Sequence, residues 1–159
     1  MYNNLLVRER IKFITLSELR KEAQINKGSP YSQHYYKADA LISFIDKNNV
    51  IDQEEERLFY PQNLGLESRE IKLFFFSNDV IKICEIHTLF NVSILNISTK
   101  EVKKLELYTN EKSGRVELVI HIKDERPIKL SNGKDTSASW RDACYDLIFE
   151  IYALLNRQV

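Results

Sequence analysis

The sequence predicts an α+β protein in which a helical N-terminal part precedes a β-rich part and a final helix. The hydrophobic period changes from that of a helix to that of a strand near Glu70. Six short strand-like segments then follow one another up to Ser131, and one amphipathic segment runs from Trp140 to Asn156. We therefore divide the chain into a helical segment 1–49, a connecting segment 50–69 and a β-rich domain 70–159.

The first third carries the signals of two helices. Thr15 and Glu18 have the spacing of a capping box, and Gly28 is a natural helix stop. A second helix is predicted from about Gln33 to Asn48, because one face collects five apolar or weakly polar residues: His34, Ala38, Leu41, Ile42 and Ile45. The segments 5–14 and 52–60 each fit either a helix or a strand.

The β-rich part shows period-two alternation. In the first strand Ile71, Leu73 and Phe75 alternate with Lys72, Phe74 and Phe76, so both faces are apolar and both need cover. The clearest strand is 115–123, preceded by a turn that ends on Gly114, where a positive φ is expected. The last strand, 127–131, is predicted at a sheet edge because Pro127 cannot donate to a ladder.

The final helix has two apolar arcs, and its predicted N-cap is Ser139 with Asp142. The first arc has the width needed to cover a sheet. The second arc consists of Tyr145, Phe149 and Tyr152, which we call the aromatic flank. Two explanations remain open: the N-terminal helices cover the flank, through Leu41, Phe44 and Ile45, or it forms an intermolecular surface for a homodimer or another partner. We take these three aromatics as the candidate partner-binding residues.

The bulk composition excludes several classes of function. Lys plus Arg equals Asp plus Glu, at 23 each, so the basic surplus of a dedicated nucleic-acid binder is missing. Cys84 and Cys144 form no C-x-x-C pattern and are expected to be reduced thiols. The first 14 residues lack the apolar core of a signal peptide, and no segment is long and apolar enough to insert in a bilayer. These observations predict a cytoplasmic protein.

Catalytic and metal motifs are weak. His87 and His121, with Glu85 and Glu117, would form a ligand set only if they shared one sheet face, and solvated strand residues are the simpler interpretation. The stretch 46–57 fails as a calcium loop because Ile51 stands where a glycine is needed. No phosphate loop or nucleophile motif is present. We therefore expect no enzyme, catalytic residue, metal or cofactor, with a metal-assisted hydrolase as the least favoured alternative.

Strands closed by one C-terminal amphipathic helix resemble the pleckstrin-homology-like fold. The residues that carry this resemblance are 58–61 (LFYP), 74–76 (FFF), Trp140 and 148–152 (IFEIY), which also look like a small, uncharacterised bacterial protein family. The resemblance implies an antiparallel β-barrel or sandwich of six to seven strands, capped by the helix. It also implies a platform for a protein or peptide. Phosphoinositide binding is not expected, since the hairpin turn 77–79 holds an acid and no base.

A rival architecture is the helix-grip fold. Its order of strand, two helices, six strands and long helix would fit if residues 5–14 form the first strand. That fold encloses an apolar cavity between sheet and helix. It would imply a carrier of a small hydrophobic ligand.

Overall fold

The computed structural model describes residues 15–26, 28, 32–66, 69–88 and 91–159. Its helices are α1 (Leu16–Asn26), α2 (Ser32–Lys47), α3 (Gln53–Glu56) and α4 (Arg141–Asn156). Its strands are β1 (Phe59–Gln62), β2 (Lys72–Phe76), β3 (Val80–Thr88), β4 (Asn91–Ser98), β5 (Val102–Asn110), β6 (Arg115–Ile122) and β7 (Ile128–Ser131). The predicted α+β class and the final helix are confirmed. The segment 5–14 lies outside the described residues.

The strands form two antiparallel sheets. The first has the order β1-β2-β3-β4 and the second β5-β6-β7, so each sheet is a simple meander. Within the described part of the chain no ladder joins β4 to β5, and the sheets do not close into a barrel. The six strands predicted between Glu70 and Ser131 are all present, and β7 is an edge strand as expected.

One face of the first sheet packs on the N-terminal helices. Phe75 lies opposite Lys82 in the register of β2 with β3, so their side chains share a face. On this face the Lys82 ammonium donates to the carbonyl of Val50 at 2.8 Å, in the connection between α2 and α3. The helix α2 also packs against β3. The helical N-terminal part therefore forms a layer on this side of the sheet.

The opposite face of the first sheet looks toward α4. Tyr60 lies opposite Phe74, and the Tyr60 hydroxyl donates to the Asp135 carboxylate at 2.9 Å, in the connection between β7 and α4. Each of the four residues Leu73–Phe76 is buried. The prediction that this strand is covered on both sides is therefore confirmed.

The two N-terminal helices pack against each other as a hairpin. Thr15 Oγ1 accepts from the Glu18 amide at 3.1 Å, which caps α1. Between the helices, an ion pair joins Arg20 to Asp46 at 2.8 Å. The predicted apolar face of α2 is buried along its whole length: His34, Ala38, Leu41, Ile42 and Ile45.

Both interpretations of the segment 52–60 are partly right. Asp52 and Glu55 form a reciprocal capping box that starts the short helix α3. Two residues separate the end of α3 from the start of β1 at Phe59. The first sheet therefore begins within the connecting segment 50–69, and its first hairpin is β1–β2 rather than the turn at 77–79. Burial of apolar surface favours a strand at 59–62, because Phe59 and Tyr60 are almost wholly inaccessible to water.

The predicted N-cap of α4 at Ser139 is wrong. The capping position is Trp140, and no side chain caps the helix there. A 3₁₀ turn, Ala138–Trp140, leads into α4 instead. In this turn the Trp140 amide donates a hydrogen bond to the Ser137 carbonyl, and the Arg141 amide donates one to the Ala138 carbonyl. Backbone acceptors thus satisfy two of the amides that the start of a helix leaves free.

No helix in the described ranges combines the length and apolarity needed to cross a membrane.

Candidate functional site

The aromatic flank lies along one side of α4. Tyr145, Phe149 and Tyr152 follow one another at helical spacing, and each side chain is partly buried against the margin of the core. The rings of Tyr145 and Phe149 are in contact, with centroids 5.1 Å apart and planes inclined by 53°. The flank is therefore a packed aromatic cluster that keeps part of its surface in water.

The rest of the chain covers one other side of α4 and borders a groove on another. The buried arc, which includes Cys144, Ile148 and Ile151, is inaccessible to water. Leu147 and Glu150 line a groove together with Leu16 at the start of α1. On an ideal helix this groove side lies about 160° from the centre of the aromatic flank. The groove between α1 and α4 thus lies on the side of α4 away from the flank.

The helix α2 packs against α1 and β3. Leu41 and Ile45, which were candidates to cover the aromatic flank, are buried in the main core. Phe44, the third candidate, keeps 38% of its surface exposed. Phe44 stands eight residues after Tyr36, which is 52% exposed, so the two aromatics form an exposed stripe on α2 that was not predicted from the sequence. The i, i+4, i+8 spacing with Ala40 was the available signal for this stripe.

A polar cluster lies on the outer face of the second sheet. Glu106 accepts hydrogen bonds from the Tyr108 hydroxyl, from Lys104 at 3.1 Å and from His121 at 2.7 Å. These donors, Tyr108 foremost, lower the pKa of Glu106 from 4.5 to about 2. The same bond raises the pKa of Tyr108. The carboxylate is thus held ionised and fully engaged, which suits cross-strand stabilisation better than proton transfer.

The two candidate metal-binding histidines do not come together. His87 lies in β3 of the first sheet and hydrogen-bonds Ser93 at 3.0 Å, whereas His121 lies in β6 of the second sheet. Glu85 pairs with Lys72 at 3.4 Å and lies 4.0 Å from His87, so this carboxylate contacts His87 but not His121. The idea of one shared face is wrong, because alternation fixes a side of a strand but not its sheet. Among the described residues no group of three or more potential ligands is placed to hold a metal.

A buried polar network joins β1 to the entrance of α4. The carboxylate of Asp135, which is 6% exposed, accepts from Tyr60, from the Ser131 amide at 2.7 Å and from Gln62 at 3.2 Å. Burial raises the pKa of Asp135 despite these donors, and burial together with the Asp135 charge raises that of Tyr60 well above its usual value. The network fixes the sheet against α4 and exposes no reactive atom.

The two cysteines are free and buried. Burial raises the pKa of Cys84 and of Cys144 to about 12 in each case. Neither thiol is therefore primed as a nucleophile at neutral pH.

No protein-family model matches this sequence, and searches among curated proteins and solved structures found no match.

The surface of the described residues supplies the candidate binding site. The polar groups of the outer cluster are engaged with one another, and the Asp135 network is buried. The aromatic flank, by contrast, offers three partly exposed rings, two of which carry a hydroxyl group. Such rings bind well to protein surfaces because they bury a large area at a small entropic cost.

Proposed function

We propose that the chain is a cytoplasmic, non-enzymatic module with a pleckstrin-homology-like architecture that binds a protein or peptide. Support for the architecture comes from chain order. A meander of four antiparallel strands is followed by a meander of three, and then by the helix α4, which packs against strands of both sheets. Two orthogonal sheets capped by one helix are the arrangement that the resemblance implies.

The observation that carries the function is the aromatic flank. Tyr145, Phe149 and Tyr152 lie on a side of α4 that neither the buried arc nor the groove with α1 uses. Two ring hydroxyls and a phenyl ring give a surface that tolerates water when free and buries apolar area when bound. We assign the partner to this flank.

Charge supports a protein partner over an anionic lipid or nucleic acid. In the β1–β2 hairpin Arg69 donates to the Lys134 carbonyl at 2.8 Å, so its guanidinium is already engaged. Glu70 in the same connection pairs with Lys37 at 3.3 Å. With a net charge of zero, the chain also lacks the surplus that phosphate binding uses.

The proposal is tested with a displayed library of random linear peptides. Peptides selected on the wild-type chain are measured against Phe149→Ala, and against Tyr36→Ala as a matched control on an exposed aromatic of α2. We expect Phe149→Ala to weaken binding at least about tenfold, as loss of an aromatic anchor does. Tyr36→Ala should leave the affinity unchanged.

Two results would contradict the proposal. One is that no peptide is enriched, or that the selected peptides bind Phe149→Ala as tightly as wild type while circular dichroism shows both chains folded. The other is a small apolar molecule retained through purification and seen by native mass spectrometry, which would favour the ligand-carrier function instead.

A further inference from the structure

The two sheets have four outer edges, and three of them carry features that block pairing with another strand. The strand β1 is four residues long and contains Pro61, and β7 is four residues long and carries Lys129. The strand β5 carries Lys103, Lys104 and Glu106, and its register shifts near Val102. Short length, proline, charge and irregular register are the usual protections of exposed edges.

The fourth edge, β4, lacks these protections. It runs for eight residues, Asn91–Ser98, with neither a charged residue nor a proline. Four of the eight are β-branched or aliphatic, and Leu95 is 50% exposed. No described strand pairs with the outer side of β4. A long, uncharged edge with an exposed leucine is a template for a further strand.

We propose that β4 pairs antiparallel with β4 of a second copy of this chain, with the two-fold axis at Leu95. A two-fold axis normal to the sheet keeps the odd-numbered residues of both copies on one face and the even-numbered residues on the other. Odd-numbered residues of one β4 must therefore lie opposite odd-numbered residues of the second. Placing Leu95 opposite the partner's Leu95 satisfies this rule. It also sets Ser93 opposite the partner's Ile97. The register therefore buries the most exposed apolar side chain of the strand against itself.

The self-complementary register at Leu95 favours a second copy as the occupant, and no charge opposes the pairing. Self-pairing of β4 brings no like charges opposite each other, because the strand has none. Two whole chains do not repel either, since the net charge is zero. The pairing also extends the four-stranded sheet of each copy into one continuous sheet of twice that number.

The first test measures mass in solution by sedimentation over a range of concentrations. The wild-type chain is expected to dimerise. Leu95→Lys places two ammonium groups opposite each other and should raise the dimer dissociation constant at least about 100-fold. Tyr108→Lys, which changes a side chain 56% exposed on the edge of the other sheet, should leave it unchanged. Thermal melts check that both variants fold.

The second test fixes the register by cysteine cross-linking with Cu(II)-phenanthroline as the oxidant. Leu95→Cys should form an intermolecular disulfide, because directly opposite side chains come within bonding reach. Ser93→Cys lies on the same face but about 14 Å from its own copy in this register, and should not cross-link. The native thiols are buried and remain silent.

Three results would overturn the inference. A wild-type chain that stays monomeric has no such interface. If Phe149→Ala or Tyr108→Lys dissociates the dimer and Leu95→Lys leaves it intact, the dimer uses another surface. A disulfide at Ser93→Cys without one at Leu95→Cys refutes the register. None of these results bears on peptide binding by the aromatic flank, so the two proposals fail separately.

Discussion

Removing the Tyr60 hydroxyl should destabilise the fold much more than removing the Tyr108 hydroxyl. Each hydroxyl donates to a carboxylate, Tyr60 to Asp135 and Tyr108 to Glu106. The first pair is buried, whereas Tyr108 is 56% exposed. Replacement of either tyrosine by phenylalanine deletes one oxygen and leaves the ring. The comparison therefore isolates the effect of burial on the same hydrogen bond.

The expected magnitude follows from the geometry of the Asp135 network. A hydrogen bond to a buried charged group contributes about 1.5–3 kcal/mol, because the carboxylate cannot turn to water when a donor is lost. For a chain of this length that corresponds to a fall in melting temperature of about 4–10 °C. Water replaces the donor at the exposed pair, so Tyr108→Phe should lower the melting temperature much less than Tyr60→Phe does.

Urea and thermal unfolding followed by circular dichroism measure both variants. In an Asp135→Asn background the effect of Tyr60→Phe should shrink by about 1 kcal/mol or more, since the two groups act through one bond. The reasoning is refuted if Tyr60→Phe unfolds at the wild-type midpoint, or if the two phenylalanine variants lose the same stability.

Three further predictions concern stability. Gly65 and Gly114 both have positive φ, but a Cβ at Gly65 would lie 2.6 Å from a serine hydroxyl, whereas Gly114 has open space around it. Gly65→Ala should therefore lower the free energy of unfolding by about 1 kcal/mol or more beyond the loss from Gly114→Ala. Equal losses of unfolding free energy in urea melts would contradict this. The pKa of Glu106 is lowered to about 2, so its stabilising contribution is present above pH 4.5 and is lost as the pH falls toward 2. Glu106→Gln should therefore flatten the pH dependence of urea stability in that window, and an unchanged slope would exclude this carboxylate as its source. Lys82→Met should lower the free energy of unfolding by about 1–3 kcal/mol, because it removes the ammonium that lies 2.8 Å from the Glu55 carboxylate, whose side chain is only 13% exposed. A urea midpoint equal to that of the wild type would show that this ion pair contributes nothing to stability.

The sequence pattern was sufficient to locate six of the seven described strands, all but β1. In β6, Val116, Leu118, Ile120 and Ile122 are all buried, as period two predicts. Alternation also placed His121 on the opposite side of that strand. It could not say that His87 belongs to a different sheet, because a period describes one strand and carries no information about long-range pairing.

Other features depend on residues far apart in the chain. The bond between Tyr60 and Asp135 spans 75 residues, and neither residue forms a local motif that predicts it. The aromatic flank was predictable, since helical spacing alone places Tyr145, Phe149 and Tyr152 together. Their partial burial was not, because it depends on how α4 is rotated against the strands.

The most direct test of the proposed binding function is a nuclear magnetic resonance titration of the isotope-labelled chain with a peptide selected on it. We expect the largest changes in chemical shift on the side chains of Tyr145, Phe149 and Tyr152. If the largest changes instead fall on Tyr36 and Phe44 of α2, or on the edge of β4, the assignment of the partner to the aromatic flank is contradicted.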